Sequence, residues 1–118
     1  MKGFLAVALL AVSPVAMAAL TADQQGALDA HNAARKTKNL PALTWDNSLV
    51  VTAQKCADKI AASGKFDHCE SAENLYWETL PATSPMTDAT KVWVNEKSNY
   101  HGEKIPDGNF QSYGHYST

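Results

Sequence analysis

The first eighteen residues limit what this chain can become more than any other stretch. Lys2 precedes an apolar run from Phe4 to Val12, Ser13-Pro14 breaks it, and the segment closes on the small residues Ala16-Met17-Ala18. A charged start, a short apolar core and a small-residue end describe a secretory signal peptide, too short and too interrupted for a membrane span. With cleavage after Ala18, 100 of the 118 residues remain. That is one small domain at most, residues 19–118, near the size where a single core becomes marginal. The expected location is extracellular, with no transmembrane segment, and such a location permits disulfides.

Removing Lys2 leaves nine basic residues against twelve acidic ones, a formal charge of −3. No Arg/Lys stripe or basic cluster appears, which argues against nucleic acid as a partner. The two cysteines are Cys56 and Cys69. If the helix carrying Cys56 ends near Gly64, the chain advances roughly 12 Å at about 1.5 Å per residue. Five extended residues then retrace about 16 Å. A Cys56–Cys69 bridge is within reach, and two separately used thiols are the alternative.

Local signals divide the domain into three helices. Thr21 followed by Gln24 is a capping-box pattern, predicting a helix from Ala22 to about Lys36. His31 lies in mid-helix beside Asn32 and reads as a structural residue hydrogen-bonded to the chain. Asp46 or Asn47 caps a second helix. Its residues Leu49, Ala53, Cys56, Ala57 and Ile60 form one apolar stripe, expected to be buried. Gly64 is its expected stop. A third helix is expected from Thr87 or Asp88 to about Lys97, with Val92 and Trp93 on its buried face. Glu96 falls on that face, and a carboxylate turned inward needs a partner. The alternative is a Glu at the edge of the stripe with its head in water.

Between the second and third helices, Phe66 to Trp77 packs one imidazole, three carboxylates, a thiol and three aromatic rings into twelve positions. His68 and Glu73 share this loop, where two side chains can aim into one cleft. A solvated acidic loop is the plain alternative. After the third helix, Tyr100 to Tyr113 lacks periodicity and reads as a surface loop carrying Tyr100, Phe110 and Tyr113. Gly114-His115-Tyr116 reads as the start of a strand.

Taken in order, these residues resemble the CAP superfamily of cysteine-rich secretory proteins, insect venom antigens and plant pathogenesis-related class 1 proteins. His31-Asn32-Ala33-Ala34-Arg35 resembles the family's H-N-x-x-R, and Leu43-Thr44-Trp45-Asp46 its L-x-W-D. His68 with Glu73-Asn74-Leu75 is similar to H…G-E-N-L, with Ala72 where Gly is usual. Trp93-Val94-Asn95-Glu96 resembles W-x-x-E, and Gly114-His115-Tyr116 the opening of G-H-Y-T-Q, with Ser117-Thr118 in place of Thr-Gln. The resemblance implies an α+β fold, an α-β-α sandwich of the CAP type, with most of the sheet missing after residue 118. It also implies a cleft lined by His68, Glu73, Glu96 and His115. In the family the imidazole pair, here His68 and His115, can hold a divalent ion, typically zinc, with the two Glu in the outer shell.

The function implied by the resemblance is a secreted binding module for sterols or other lipids. The aromatic loop with Tyr100, Phe110 and Tyr113 is the expected ligand contact, against the plainer role of pinning the loop to the core. A secreted effector that binds another protein is the alternative. A zinc-assisted hydrolase, with Glu73 or Glu96 as general base, is a third reading, and no Ser/His/Asp or Cys/His nucleophile set is evident.

Overall fold

The computed structural model describes residues 19–118; the leader expected over residues 1–18 lies outside the described residues. Four α-helices follow in order: α1 (Ala22–Lys36), α2 (Asn47–Ser63), α3 (Pro85–Asn95) and α4 (Gly114–Ser117). Short 3-10 turns over Glu96–Asn99 and Phe110–Ser112 lie between the last two.

α1 begins where its capping box lies. The Thr21 hydroxyl accepts the Gln24 amide at 3.1 Å, and the Gln24 side chain accepts the Thr21 amide at 2.9 Å. The helix ends where Asn39 turns left-handed at φ 55°, a conformation Asn tolerates, and the Leu40 amide returns to the Arg35 carbonyl. Asn32 then clamps the connection, because its side-chain amide exchanges two hydrogen bonds with the Leu43 backbone, at 2.7 and 3.1 Å. Arg35 donates through Nε to the Pro41 carbonyl at 2.7 Å. Two of the three named residues of the H-N-x-x-R pattern therefore hold the Pro41–Leu43 segment against α1. Burial, and then the Arg35 cation, lower the His31 pKa from its ordinary value.

α1 packs along α3, and the contact is close. A Cβ added at Gly26 would stand 2.5 Å from the Thr87 hydroxyl. The N-terminus of α3 has no cap from its own Ser84 side chain. Asp23 on α1 fills that role, accepting the Met86 amide at 2.9 Å and the Thr87 amide at 2.8 Å. The helix thus starts at Pro85, earlier than the local pattern predicts, because its orphan amides find their acceptor on another element. Ala27 of α1 and Ala89 and Thr90 of α3 are buried along this contact. Val92, expected inside, is 50% exposed, so the buried side of α3 runs through Ala89, Thr90 and Trp93 instead.

α2 starts under Asp46, which accepts the Ser48 amide at 2.8 Å, and stops at left-handed Gly64. Its apolar stripe is not buried: Leu49 is 65% exposed, Ala53 and Ala57 are exposed, and Cys56 alone is buried. No described element covers that face, so the pattern marks a surface that the described residues leave open.

The expected strand at Gly114 is a helical turn, α4. The Glu96 carboxylate accepts the His115 amide at 2.9 Å and the Tyr116 amide at 3.3 Å, which gathers successive amides as a helix start does. There is no strand among the described residues. Nor is any helix among them long and apolar enough to cross a membrane.

Candidate functional site

The site is built from two imidazole–carboxylate pairs on separate segments. His68 and Glu73 stand on the irregular segment after α2, which a disulfide between Cys56 and Cys69 ties to that helix. Glu73 Oε1 gathers this loop: it accepts the amides of Cys69 and Glu70 and stands 3.3 Å from His68 Nδ1. Burial pushes the Glu73 carboxyl up, but the Cys69 and Glu70 amides and the His68 ring outweigh it and hold it below its ordinary value.

The second pair is Glu96 and His115, brought together by the end of α3 and the start of α4. Glu96 Oε1 is 2.7 Å from His115 Nδ1, while Oε2 takes the two α4 amides. Trp93 stacks on the His115 ring at 6.3 Å between centroids. An ionised carboxylate can only accept, so Nδ1 of His115 carries a proton and Nε2 of the neutral ring keeps its lone pair. The same reasoning applies to His68 against Glu73.

Asn74 joins the two halves, donating from Nδ2 to the His115 carbonyl at 2.9 Å. Spacing alone did not single it out as functional, although it stands within the E-N-L pattern beside Glu73. Together the two halves line an open cleft of about 250 Å³, with His68, Glu73 and Asn74 on one side and His115 on the other. Phe110 and Gln111 line the same cleft, and Gln111 is a residue the pattern did not mark. Glu96 stays behind His115.

The three aromatic residues of the last loop divide into different environments. Tyr113 is 1% exposed, its hydroxyl donates to the Asp107 carbonyl, and its ring meets Tyr100 at 5.1 Å. The Tyr100 hydroxyl donates to the Glu103 carbonyl at 2.9 Å. Both tyrosines are therefore engaged by their own loop, so this segment is less a free surface loop than a pinned one. Phe110, 37% exposed, packs edge-on against Tyr113 at 5.5 Å and keeps an open side at the cleft. Its ring lies over Gly114, where a Cβ would come within 3.2 Å of it.

Among the described residues, the set of three ligand-type side chains with donor atoms within 4.8 Å of one another is Cys56, Cys69 and Glu73. The two sulfurs are bonded to each other, so this set holds no metal in the oxidised form. A metal at the imidazole pair would take His68 and His115 as protein ligands and complete its shell with water or a ligand.

Comparison with known proteins rests on the sequence. The family model described as CAP, cysteine-rich secretory protein family, matches residues 28–118. The chain is 35% identical over 96 residues to pathogenesis-related protein 1C of Nicotiana tabacum, covering 80% of this chain and 56% of the relative. It is 30% identical over 118 residues to pathogenesis-related protein PR-1 type of Sambucus nigra, covering 94% and 70%. It is 32% identical over 94 residues to secreted protein RBT4 of Candida albicans, covering 79% of this chain and 25% of that one. The chain thus spans a little over half the length of the tobacco relative. No solved structure gives a significant match. With the family model covering His68, Glu73, Glu96 and His115 alike, the chain belongs to the CAP family of cysteine-rich secretory proteins.

Proposed function

We propose that this chain is a secreted CAP-domain binding protein whose cleft takes a divalent metal, with a sterol or other lipid held against its aromatic rim. One observation carries the reading: each cleft imidazole faces a carboxylate through Nδ1, leaving both Nε2 atoms for a ligand. A carboxylate behind a histidine fixes the ring and raises its basicity, as around bound zinc. His68 and His115 would hold the ion, and zinc would supply a Lewis-acidic centre for a polar group of the ligand. Glu73 and Glu96 already accept backbone amides, which favours an orienting role over that of a free general base. Secretion accords with the leader-like first eighteen residues and with the relative named a secreted protein. The fold in this reading is the α-β-α sandwich of the family.

For the lipid, Phe110 is the ring available for contact, since Tyr113 and Tyr100 are engaged by their own loop. The second reading, a secreted interaction protein without a lipid, draws on Trp77 and Leu80, both exposed. Two titrations test the proposal. Calorimetry with zinc on wild type, His68→Ala and His115→Ala is expected to show binding that each substitution weakens, and equal affinity in all three would overturn the metal site. Competition with labelled cholesterol is expected to show Phe110→Ala binding about tenfold to a hundredfold more weakly. No cholesterol binding by wild type would favour the interaction protein.

A further inference from the structure

The disulfide and the carboxylate beside it have a use that the imidazole cleft does not absorb. Cys56 Sγ stands 3.8 Å from Glu73 Oε1, and the three donor atoms of Cys56, Cys69 and Glu73 lie within 4.8 Å of one another. In a tetrahedral zinc site, with zinc–sulfur bonds of about 2.3 Å and zinc–oxygen bonds of about 2.1 Å, a sulfur–oxygen edge is about 3.6 Å. The Cys56–Glu73 edge of such a site is therefore nearly in place while the sulfurs are still bonded.

We propose that Cys56, Cys69 and Glu73 form a thiophilic metal site that the disulfide masks and that reduction opens. A dithiol reductant supplies two electrons and two protons; its own sulfurs close to a disulfide while Cys56 and Cys69 become thiols. A divalent ion such as zinc then displaces both thiol protons and binds two thiolates and the Glu73 carboxylate, with water in the fourth position. The sulfurs must part to about 3.8 Å, the edge set by two zinc–sulfur bonds. Cys56 is fixed in α2, so this movement falls to Cys69, which lies on irregular backbone.

The surroundings fit both steps. Cys56 and Cys69 line a shallow depression of about 310 Å³, which gives a reductant and an ion a way in. Lys55 and Lys59, one helical turn apart on α2, line it as well. The inference does not rest on metal binding at His68 and His115.

Cobalt(II) is the probe, because thiolate ligands give it an intense near-ultraviolet charge-transfer band that imidazoles and carboxylates do not. The secreted chain is reduced with a dithiol, freed of it under nitrogen and titrated. The expected result is a thiolate–cobalt band saturating at one equivalent, with helical circular dichroism retained, and no band from the oxidised protein. His68→Ala should leave the band unchanged, whereas Glu73→Ala should weaken binding by about tenfold, equal to about 1.4 kcal/mol. Cys69→Ser should lose the one-equivalent complex. The proposal is overturned if the reduced chain gives no thiolate band, if the band appears only after helicity is lost, or if Glu73→Ala binds as wild type does.

Discussion

Asp23 on α1 caps Thr87 on α3: its Oδ1 accepts the Thr87 amide at 2.8 Å, and its carbonyl takes the Thr87 hydroxyl at 3.1 Å. With the Met86 amide on Oδ2, one carboxylate starts a helix more than sixty residues away in the chain. Asp23→Ala should therefore destabilise the protein by about 0.5–2 kcal/mol, the range of a lost helix cap. Thermal unfolding by circular dichroism checks this. A midpoint unchanged from wild type would mean that water replaces the cap without cost.

The same residue and Glu73 set an acid limit. Burial pushes both carboxyls up, but hydrogen bonds from Met86 and Thr87 to Asp23, and from Cys69, Glu70 and His68 to Glu73, outweigh it, so both titrate below their ordinary values. A carboxylate depressed in the folded state stabilises fully above its unfolded pKa and loses that contribution as pH falls through the folded one. The ordinary values are 3.8 for Asp and 4.5 for Glu, so denaturation midpoints should fall as pH drops below about 4.5. In Asp23→Asn combined with Glu73→Gln the slope of stability against pH in that window should be shallower. An identical slope would show that other groups carry the acid sensitivity.

Gly26 offers a test with a sign reversal. Gly to Ala inside a helix ordinarily stabilises by about 0.8–1 kcal/mol. Here the new methyl would meet the Thr87 hydroxyl at 2.5 Å, so Gly26→Ala should destabilise, by about 1–3 kcal/mol. Introduced into Thr87→Ala, which removes the obstructing hydroxyl, the same change should turn neutral or stabilising. The double-mutant cycle, read by urea denaturation, gives the coupling. Additive effects would place the close contact elsewhere.

Behind the imidazole, Glu96→Gln should disturb His115 more than it disturbs the fold. Its amide oxygen can still accept from α4, but the charge facing His115 Nδ1 is gone. If His115 holds zinc, affinity should fall by about tenfold to a hundredfold, as for lost outer-shell partners. Calorimetry of the variant beside a thermal melt separates the two effects. Full zinc affinity in a stable variant would deny Glu96 its orienting role.

What could be read from the residues in advance depended on the distance over which each feature is determined. Thr21 with Gln24, Asp46 and Gly64 act on neighbours within four positions, so the ends of α1 and α2 follow from local rules. The spacing of Glu96 to Val92 and Trp93 raised an inward carboxylate beside a solvent-facing alternative, and the structure pairs Glu96 with His115 although Val92 is exposed. The start of α3 did not follow from local rules, because its cap is Asp23 on another helix. The strand expected at Gly114 failed for a related reason: Glu96, eighteen positions back, gathers the amides that a sheet neighbour would otherwise take. Tyr113 reads as a loop residue by its surroundings, yet its hydroxyl finds the Asp107 carbonyl and its ring becomes the most deeply buried. The α2 stripe shows the opposite error, a true periodicity that no described element covers.

Cys56 has one more consequence as the single buried residue of α2. Packing makes neighbouring helices open together, and among the described residues α2 has almost none, so a covalent link to the Cys69 loop is what ties its middle to the rest. Such a helix should exchange its amide hydrogens by its own local opening, well before the amides of α3, whose protection reports the whole molecule. Unfolding should then proceed in two events, in which α2 melts first while remaining leashed at one point to the loop that carries His68.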